Sequence, residues 1–233
     1  MQLSKRLQLV ASFVSKGKIT ADIGTDHGYV PIYLVRNQVV PYAYACDVNK
    51  GPLERASAHI AEAGLTGQIE TRLGSGLSVL KPGEADAVVI AGMGGPLMQK
   101  LLEESRDVVA LVTELILSPH SEVDGVRKYL HKAGFSIVQE AMIYDEGKFY
   151  TVLKAVPGQE DAYTEMEYRF GKRLIEARDK VFLDYLQDCI RKLQTLQNRL
   201  AESGLTEESP RFMQNARELA EVTQLYQKLN AYY

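Results

Sequence analysis

Leu3, Leu7, Val10, Ala11 and Val14 recur at helical spacing, which predicts an amphipathic helix over residues 3–14. The period then changes. Short apolar runs at residues 19–23, 43–46, 69–73, 87–91, 115–117, 136–142 and 149–155 read as seven strands, with stretches such as 51–63 between them reading as helices. A spacing of roughly 20–25 residues between the first few strands fits β-α units of a parallel sheet. The last two runs are too close for a crossover and join through Asp145-Glu146-Gly147-Lys148, so they form a terminal hairpin. Beyond Pro157-Gly158 the strand rhythm stops. Phe182, Leu186, Cys189, Leu193, Leu196 and Leu200 alternate spacings of four and three, the seam of a coiled coil. Ser203-Gly204 ends that helix, Ser209-Pro210 starts another, and Leu219, Val222, Tyr226, Leu229 and Tyr233 carry the spacing onward. The expected fold is α/β, with a Rossmann-like seven-stranded sheet over residues 1–157 and an all-α coiled-coil hairpin domain over 158–233.

The first strand runs into Asp22-Ile23-Gly24-Thr25-Asp26-His27-Gly28, followed by a helical stretch from Tyr29. A strand, a glycine turn and a helix N-terminus bring backbone N–H groups against a nucleotide-type ligand. Nicotinamide dehydrogenases also place glycines here, but their strand runs straight into them. Here Asp22 precedes Gly24 by two residues, as in the acidic-x-Gly loop of S-adenosylmethionine enzymes. Asp47, followed by Val48, ends the second run with a carboxylate able to accept both ribose hydroxyls. Gly74-Ser75-Gly76 follows the third run, where Ser75 can meet an adenine edge. The fourth run ends in Ala91-Gly92-Met93-Gly94-Gly95-Pro96, whose glycines leave room for a flat base or simply make a tight turn. Asp26 stands where many methyltransferases have a glycine and is the candidate catalytic carboxylate; the alternative is a helix cap or cofactor orientation. His27, Tyr29 and Tyr150 are candidates to touch cofactor or stack on bases.

Composition narrows the classes. A net charge of −3 argues against a molecule-wide attraction to nucleic acid, and a division at residue 158 leaves neither part basic. Any RNA site is then a local patch, with Lys5, Arg6, Lys16 and Lys18 the best cluster in the first part. No apolar run is long enough for a membrane span and residues 1–6 lack the pattern of a signal peptide, so a cytoplasmic protein is expected. Cys46 and Cys189 lack metal-like spacing and are expected to be reduced thiols. Neither a metal cluster nor a nucleophilic triad is legible, so hydrolysis and phosphoryl transfer rank low.

These elements resemble the bacterial methyltransferases that modify N1 of adenine 22 in tRNA. The resemblance rests on Leu3-Ser4-Lys5-Arg6-Leu7, residues 21–29, Gly83-Glu84-Ala85-Asp86-Ala87 leading into Ile90-Ala91-Gly92-Met93-Gly94-Gly95, and Gly147-Lys148-Phe149-Tyr150. It implies a class I methyltransferase domain, S-adenosyl-L-methionine as cofactor, tRNA as partner and a helical domain that helps hold it. The cofactor would lie on Asp22, Gly24, Thr25, Asp26, His27 and Gly28, on Asp47 and Val48, on Gly74, Ser75 and Gly76, and on Ala91, Gly92 and Met93. Lys5, Arg6, Tyr29, Gly94, Gly95, Pro119, His120 and Tyr150 would face the substrate. The chain departs from the family pattern twice, with Gly74-Ser75-Gly76 for Gly-Asp-Gly and Ser118-Pro119-His120 for Gln-Pro-Asn. Three other readings stay open: a nicotinamide-dependent oxidoreductase, a non-catalytic RNA-binding adaptor built on a degenerate methyltransferase domain, and a small-molecule methyltransferase, for which the helical hairpin would lack an obvious purpose. No metal is expected, and a monomer is the default.

Overall fold

The computed structural model describes residues 3–231; Tyr233, expected in the last helix, lies outside the described residues. Seven strands form one sheet: β1 Thr20–Ile23, β2 Ala43–Asp47, β3 Ile69–Leu73, β4 Ala87–Ala91, β5 Glu114–Ser118, β6 Phe135–Asp145 and β7 Lys148–Pro157. Their order is β3-β2-β1-β4-β5-β7-β6, parallel except for β7, which runs antiparallel to both neighbours. Among the described residues ten α-helices accompany them, with a short 3-10 helix at Gly76–Val79: α1 Lys5–Ser12, α2 Tyr29–Arg36, α3 Lys50–Glu62, α4 Gly95–Glu104, α5 Arg106–Val109, α6 Val123–Lys132, α7 Glu165–Phe170, α8 Lys172–Ala177, α9 Lys180–Glu202 and α10 Pro210–Asn230.

The central strands β1, β2, β4 and β5 are buried along nearly their whole length because both faces are covered. Val88, Ile90, Leu115 and Leu117 enter one core layer, while Ala87, Val89 and Ile116 enter the other. β1 pairs with β2 on one side and β4 on the other, so the chain reverses its direction of travel across the sheet there, and ligands of open α/β sheets bind at such a point. The hairpin β6–β7 is longer than its apolar runs suggest, since it continues past the covered sheet to the turn at Glu146 and Gly147.

Two compact units are present, Met1–Arg173 and Leu174–Tyr233, so residues 158–173 group with the sheet rather than with the helices expected to begin at 158. A buried ion pair accounts for this grouping. Arg127 of α6 donates to Glu140 of β6 (2.7 Å) and to the carbonyls of Tyr168 and Arg169 (2.8 and 3.2 Å). Gly171 passes so close that a Cβ would sit 2.7 Å from the Glu140 carboxylate. In the helical unit, α9 and α10 pack as a hairpin. Phe182, Leu186 and Leu200 of the expected seam are buried, Cys189 and Leu193 are half-buried, and Leu196 is 37% exposed. The seam opens where Asn215 of α10 enters, donating to the Leu193 carbonyl (3.0 Å) and to Gln197 Oε1 (2.6 Å).

Candidate active site

At the C-terminal end of β1 the chain must turn out of the sheet within two residues, and Gly24 does so at φ +79°. The Gly24 and Thr25 N–H groups donate to the Cys46 carbonyl (2.8 and 2.9 Å), extending the β1–β2 ladder into the turn. Asp26 is left-handed at φ +50°, and Gly28, at φ +72°, is the N-cap of α2. A Cβ on Gly24 would lie 2.3 Å from Met93 Cε, so the loops after β1 and β4 touch only because that side chain is absent.

Asp47 closes β2 and is buried. Its carboxylate accepts the Asn49 N–H at Oδ1 (2.8 Å) and the Asp26 N–H at Oδ2 (3.3 Å), leaving one lone pair on each oxygen for a ligand. Gly74 donates to the Asp47 carbonyl (3.0 Å), which draws the loop after β3 alongside. Arg72 braces that loop from below, donating to the Glu84 carboxylate (2.6 and 2.7 Å) and to the Val79 carbonyl while lying over the Tyr44 ring. Those hydrogen bonds hold the Glu84 carboxyl down at about 2.

These loops enclose a cavity of about 360 Å³, within the range of small-molecule sites. Its lining brings together Gly24, Asp47, Val48, Gly74, Ser75, Gly76, Ala91, Gly92 and Met93, all of them cofactor-binding candidates from the sequence. Ile23, Cys46, Asn49, Leu97 and Leu101 were not singled out and also line it. Ile23, Cys46 and Asn49 adjoin residues that were. Leu97, like Val48, is a large apolar side chain left exposed, at 47% and 62%, and both line the cavity. Burial pushes the Cys46 thiol up to about 12, so it stays protonated at neutral pH and is no nucleophile.

Asp22, Thr25, Asp26, His27 and Gly28 stand beside the cavity rather than in its lining. Asp22 is buried and accepts the Thr25 hydroxyl at 2.7 Å. Burial raises its pKa to about 6; the Thr25 hydrogen bond opposes the shift and the Asp47 charge adds to it. The Asp26 carboxylate is exposed, held by Arg55 Nη2 of α3 at 3.1 Å with His27 Nε2 at 3.4 Å. His27, Tyr29 and His59 form a three-way cluster of near-parallel rings with all centroids 5.0 to 5.7 Å apart, which engages Tyr29 with His59 of α3.

The other substrate candidates gather on the opposite rim. Gly92 donates to the Ser118 carbonyl (3.1 Å), His120 to the Met93 carbonyl (3.0 Å) and Gly95 to the Ser121 carbonyl (3.0 Å), so the loops after β4 and β5 form one unit. Gly94 lies against Ser121 and His120, and Pro119 is buried beneath them. Arg6 lies over the Tyr150 ring at 5.0 Å, while Lys5 is exposed on α1. Two larger hollows, of about 570 Å³ between α4 and α6 and about 560 Å³ along α9 and α10, receive none of these loops. Among the described residues no group of acidic, histidine or cysteine side chains could hold a metal, and no helix is long and apolar enough to cross a membrane.

Residues 3–153 match a methyltransferase-domain family. The tRNA (adenine(22)-N(1))-methyltransferase of Bacillus subtilis is 34% identical over 98% of this chain and 97% of its own. The crystal structure of the B. subtilis m1A22 tRNA methyltransferase TrmK superposes with a TM-score of 0.83 at 32% identity, covering 98% of each chain. The M. capricolum TrmK, solved with the cofactor product S-adenosyl-homocysteine, superposes with a TM-score of 0.84 at 28% identity over 97% of this chain and 99% of that one.

Proposed function

As this chain belongs to the tRNA (adenine(22)-N(1))-methyltransferase family, we infer that it transfers the methyl group of S-adenosyl-L-methionine to N1 of adenine 22 in tRNA. The carrying observation is the Asp47 carboxylate, fixed by two backbone N–H groups on the wall of a cavity built from the ends of β1 to β4. The cofactor fits these residues. Asp47 offers two free lone pairs where ribose hydroxyls need acceptors, and Val48 and Leu97 offer apolar faces for an adenine ring, with Ser75 at its edge. The glycines at 24, 74 and 92 line the cavity; a Cβ would collide with Met93 at the first and Val79 at the second, and would crowd Arg6 at the third.

When bound, the cofactor supplies an electrophilic methyl group on a positively charged sulfur. The protein's share is alignment, because adenine N1 already presents an in-plane lone pair and needs no base to become a nucleophile. The glycines after β4 admit the flat base once it is unstacked from the tRNA, and the bonded loops after β4 and β5 fix its plane. Positive charge moves from sulfur to adenine during transfer, so carboxylates beside the cavity favour both ends of the step. Asp22 and Asp47 are proposed for that field. Asp26 is proposed to act first through its backbone, whose N–H orients Asp47, and through the Arg55 pair that holds the loop.

Methyl-labelled cofactor and an unmodified tRNA transcript test the reading directly. Label recovered as 1-methyladenosine, and lost when position 22 is guanine, is the expected result. Label in another nucleoside, or none, removes it.

A further inference from the structure

Arg6 of α1 touches the rim of the cavity in a way the transfer step leaves unexplained. Its backbone N–H donates to Asp145 Oδ2 at the tip of the β6–β7 hairpin (3.1 Å), which fixes the start of α1 there. Its guanidinium lies over the Tyr150 ring, 5.0 Å from the centroid. It also approaches Gly92 of the cavity wall, at φ +79°, where a Cβ would stand 3.2 Å from Arg6 Nη1. Among the described residues the guanidinium meets no carboxylate in an ion pair. A planar cation thus rests on an aromatic face beside the cofactor cavity, in a protein of net charge −3, its guanidinium without an ion pair to a carboxylate among the described residues.

We propose that Arg6 is a placeholder for the target base, standing over Tyr150 in the free protein and moving, when the base arrives to stack there, onto the phosphate of that nucleotide. The proposal rests on the tRNA reading above and deepens it. Three physical points support it. A guanidinium and a nucleobase are both flat π systems suited to the same tyrosine face, so one can replace the other with little change in packing. A phosphate offers Arg6 the bidentate acceptor it lacks at rest. A guanidinium left beside the cavity would oppose the cation that forms on adenine, whereas one paired to phosphate further out would not. The absence of a side chain at Gly92 lets the arginine lie flat against the wall and withdraw.

Steady-state methylation of a tRNA transcript and S-adenosyl-homocysteine affinity, measured for the parent protein and for Arg6→Gln, Arg6→Lys, Tyr150→Leu and Tyr150→Phe, test it. Arg6→Gln is expected to raise KM for tRNA about tenfold and to reduce the slope of log KM against log salt by about one, with product affinity unchanged. Arg6→Lys, which keeps a charge for phosphate, is expected to retain the parent slope. Tyr150→Leu is expected to lower kcat/KM about tenfold without changing the slope, and Tyr150→Phe to restore it. An unchanged slope in Arg6→Gln, or an equal loss of product affinity, would overturn the proposal while the parent activity keeps the tRNA reading intact. A parent protein that methylates no tRNA removes the reading, and the proposal with it.

Discussion

Asp47 reaches the cavity with both oxygens already accepting backbone N–H groups, so its charge need not be organised when a ligand arrives. Asp47→Ala removes two charged acceptors, and S-adenosyl-homocysteine affinity is expected to fall about 10- to 100-fold by calorimetric titration. An unchanged affinity would mean the ribose lies elsewhere. Asp22 is governed by pH. Its pKa, near 3.8 when unfolded, stands at about 6 in the fold because burial disfavours the charge. Between those values the folded state holds the extra proton, so this group's contribution to stability falls as pH rises through the window. A cationic ligand favours the ionised form, so S-adenosyl-L-methionine affinity is expected to drop below pH about 6, by up to about tenfold per unit. Asp22→Asn should flatten that profile; a parallel decline in the variant would assign the effect to another group. For Asp26, replacement by Ala leaves the N–H to Asp47 in place and removes the side-chain contacts to Arg55 and His27, and kcat is expected to fall further than product affinity. Equal losses would reduce the side chain to a binding role. The lining residues were legible where a glycine or acid ends a strand, because backbone geometry demands that residue type. The outward turn of Asp26 was not, since its Arg55 partner is contributed by α3, and the sequence carries no sign of which way that helix faces.

Among the elements, β2, β4 and β5 were legible from apolar runs because strands covered on both faces have little polar side to interrupt them, whereas β3, β6 and β7 were read from runs that carry exposed polar positions. The segment after Pro157 was harder. Its attachment to the sheet depends on Arg127 and Glu140, both charged and nearly wholly buried, and a sequence presents each as a surface residue. Gly171 is the point where this arrangement is tightest. Gly171→Ala is expected to cost about 3 kcal/mol in urea unfolding, because a Cβ at φ +93° would press on a desolvated ion pair. Gly134→Ala, at φ +82° with open space around it, should cost only about 1 kcal/mol. Equal costs would show that backbone strain alone matters at both. The heptad reading of α9 failed at Leu196 for a related reason: heptads report spacing, whereas Asn215 on the facing helix decides which positions are covered.

For the whole molecule, a net charge of −3 with no basic excess in either part sets how RNA is attracted. Few phosphates can be neutralised, so KM for tRNA is expected to rise only on the order of tenfold between 50 and 200 mM salt, as for two to three contacts. A rise of a thousandfold would require a basic surface that these sequences of charge do not provide. The cavity itself has a consequence for how the chain acquires function. Its walls come from the ends of β1, β2, β3 and β4, and β4 is the last of them to be synthesised although it pairs directly with β1. A nascent chain with β1, β2 and β3 assembled but β4 undocked lacks Gly92 and Met93 and has only part of a site. By mass action the cofactor therefore stabilises the fold in which β4 has docked beside β1 over one in which it has not.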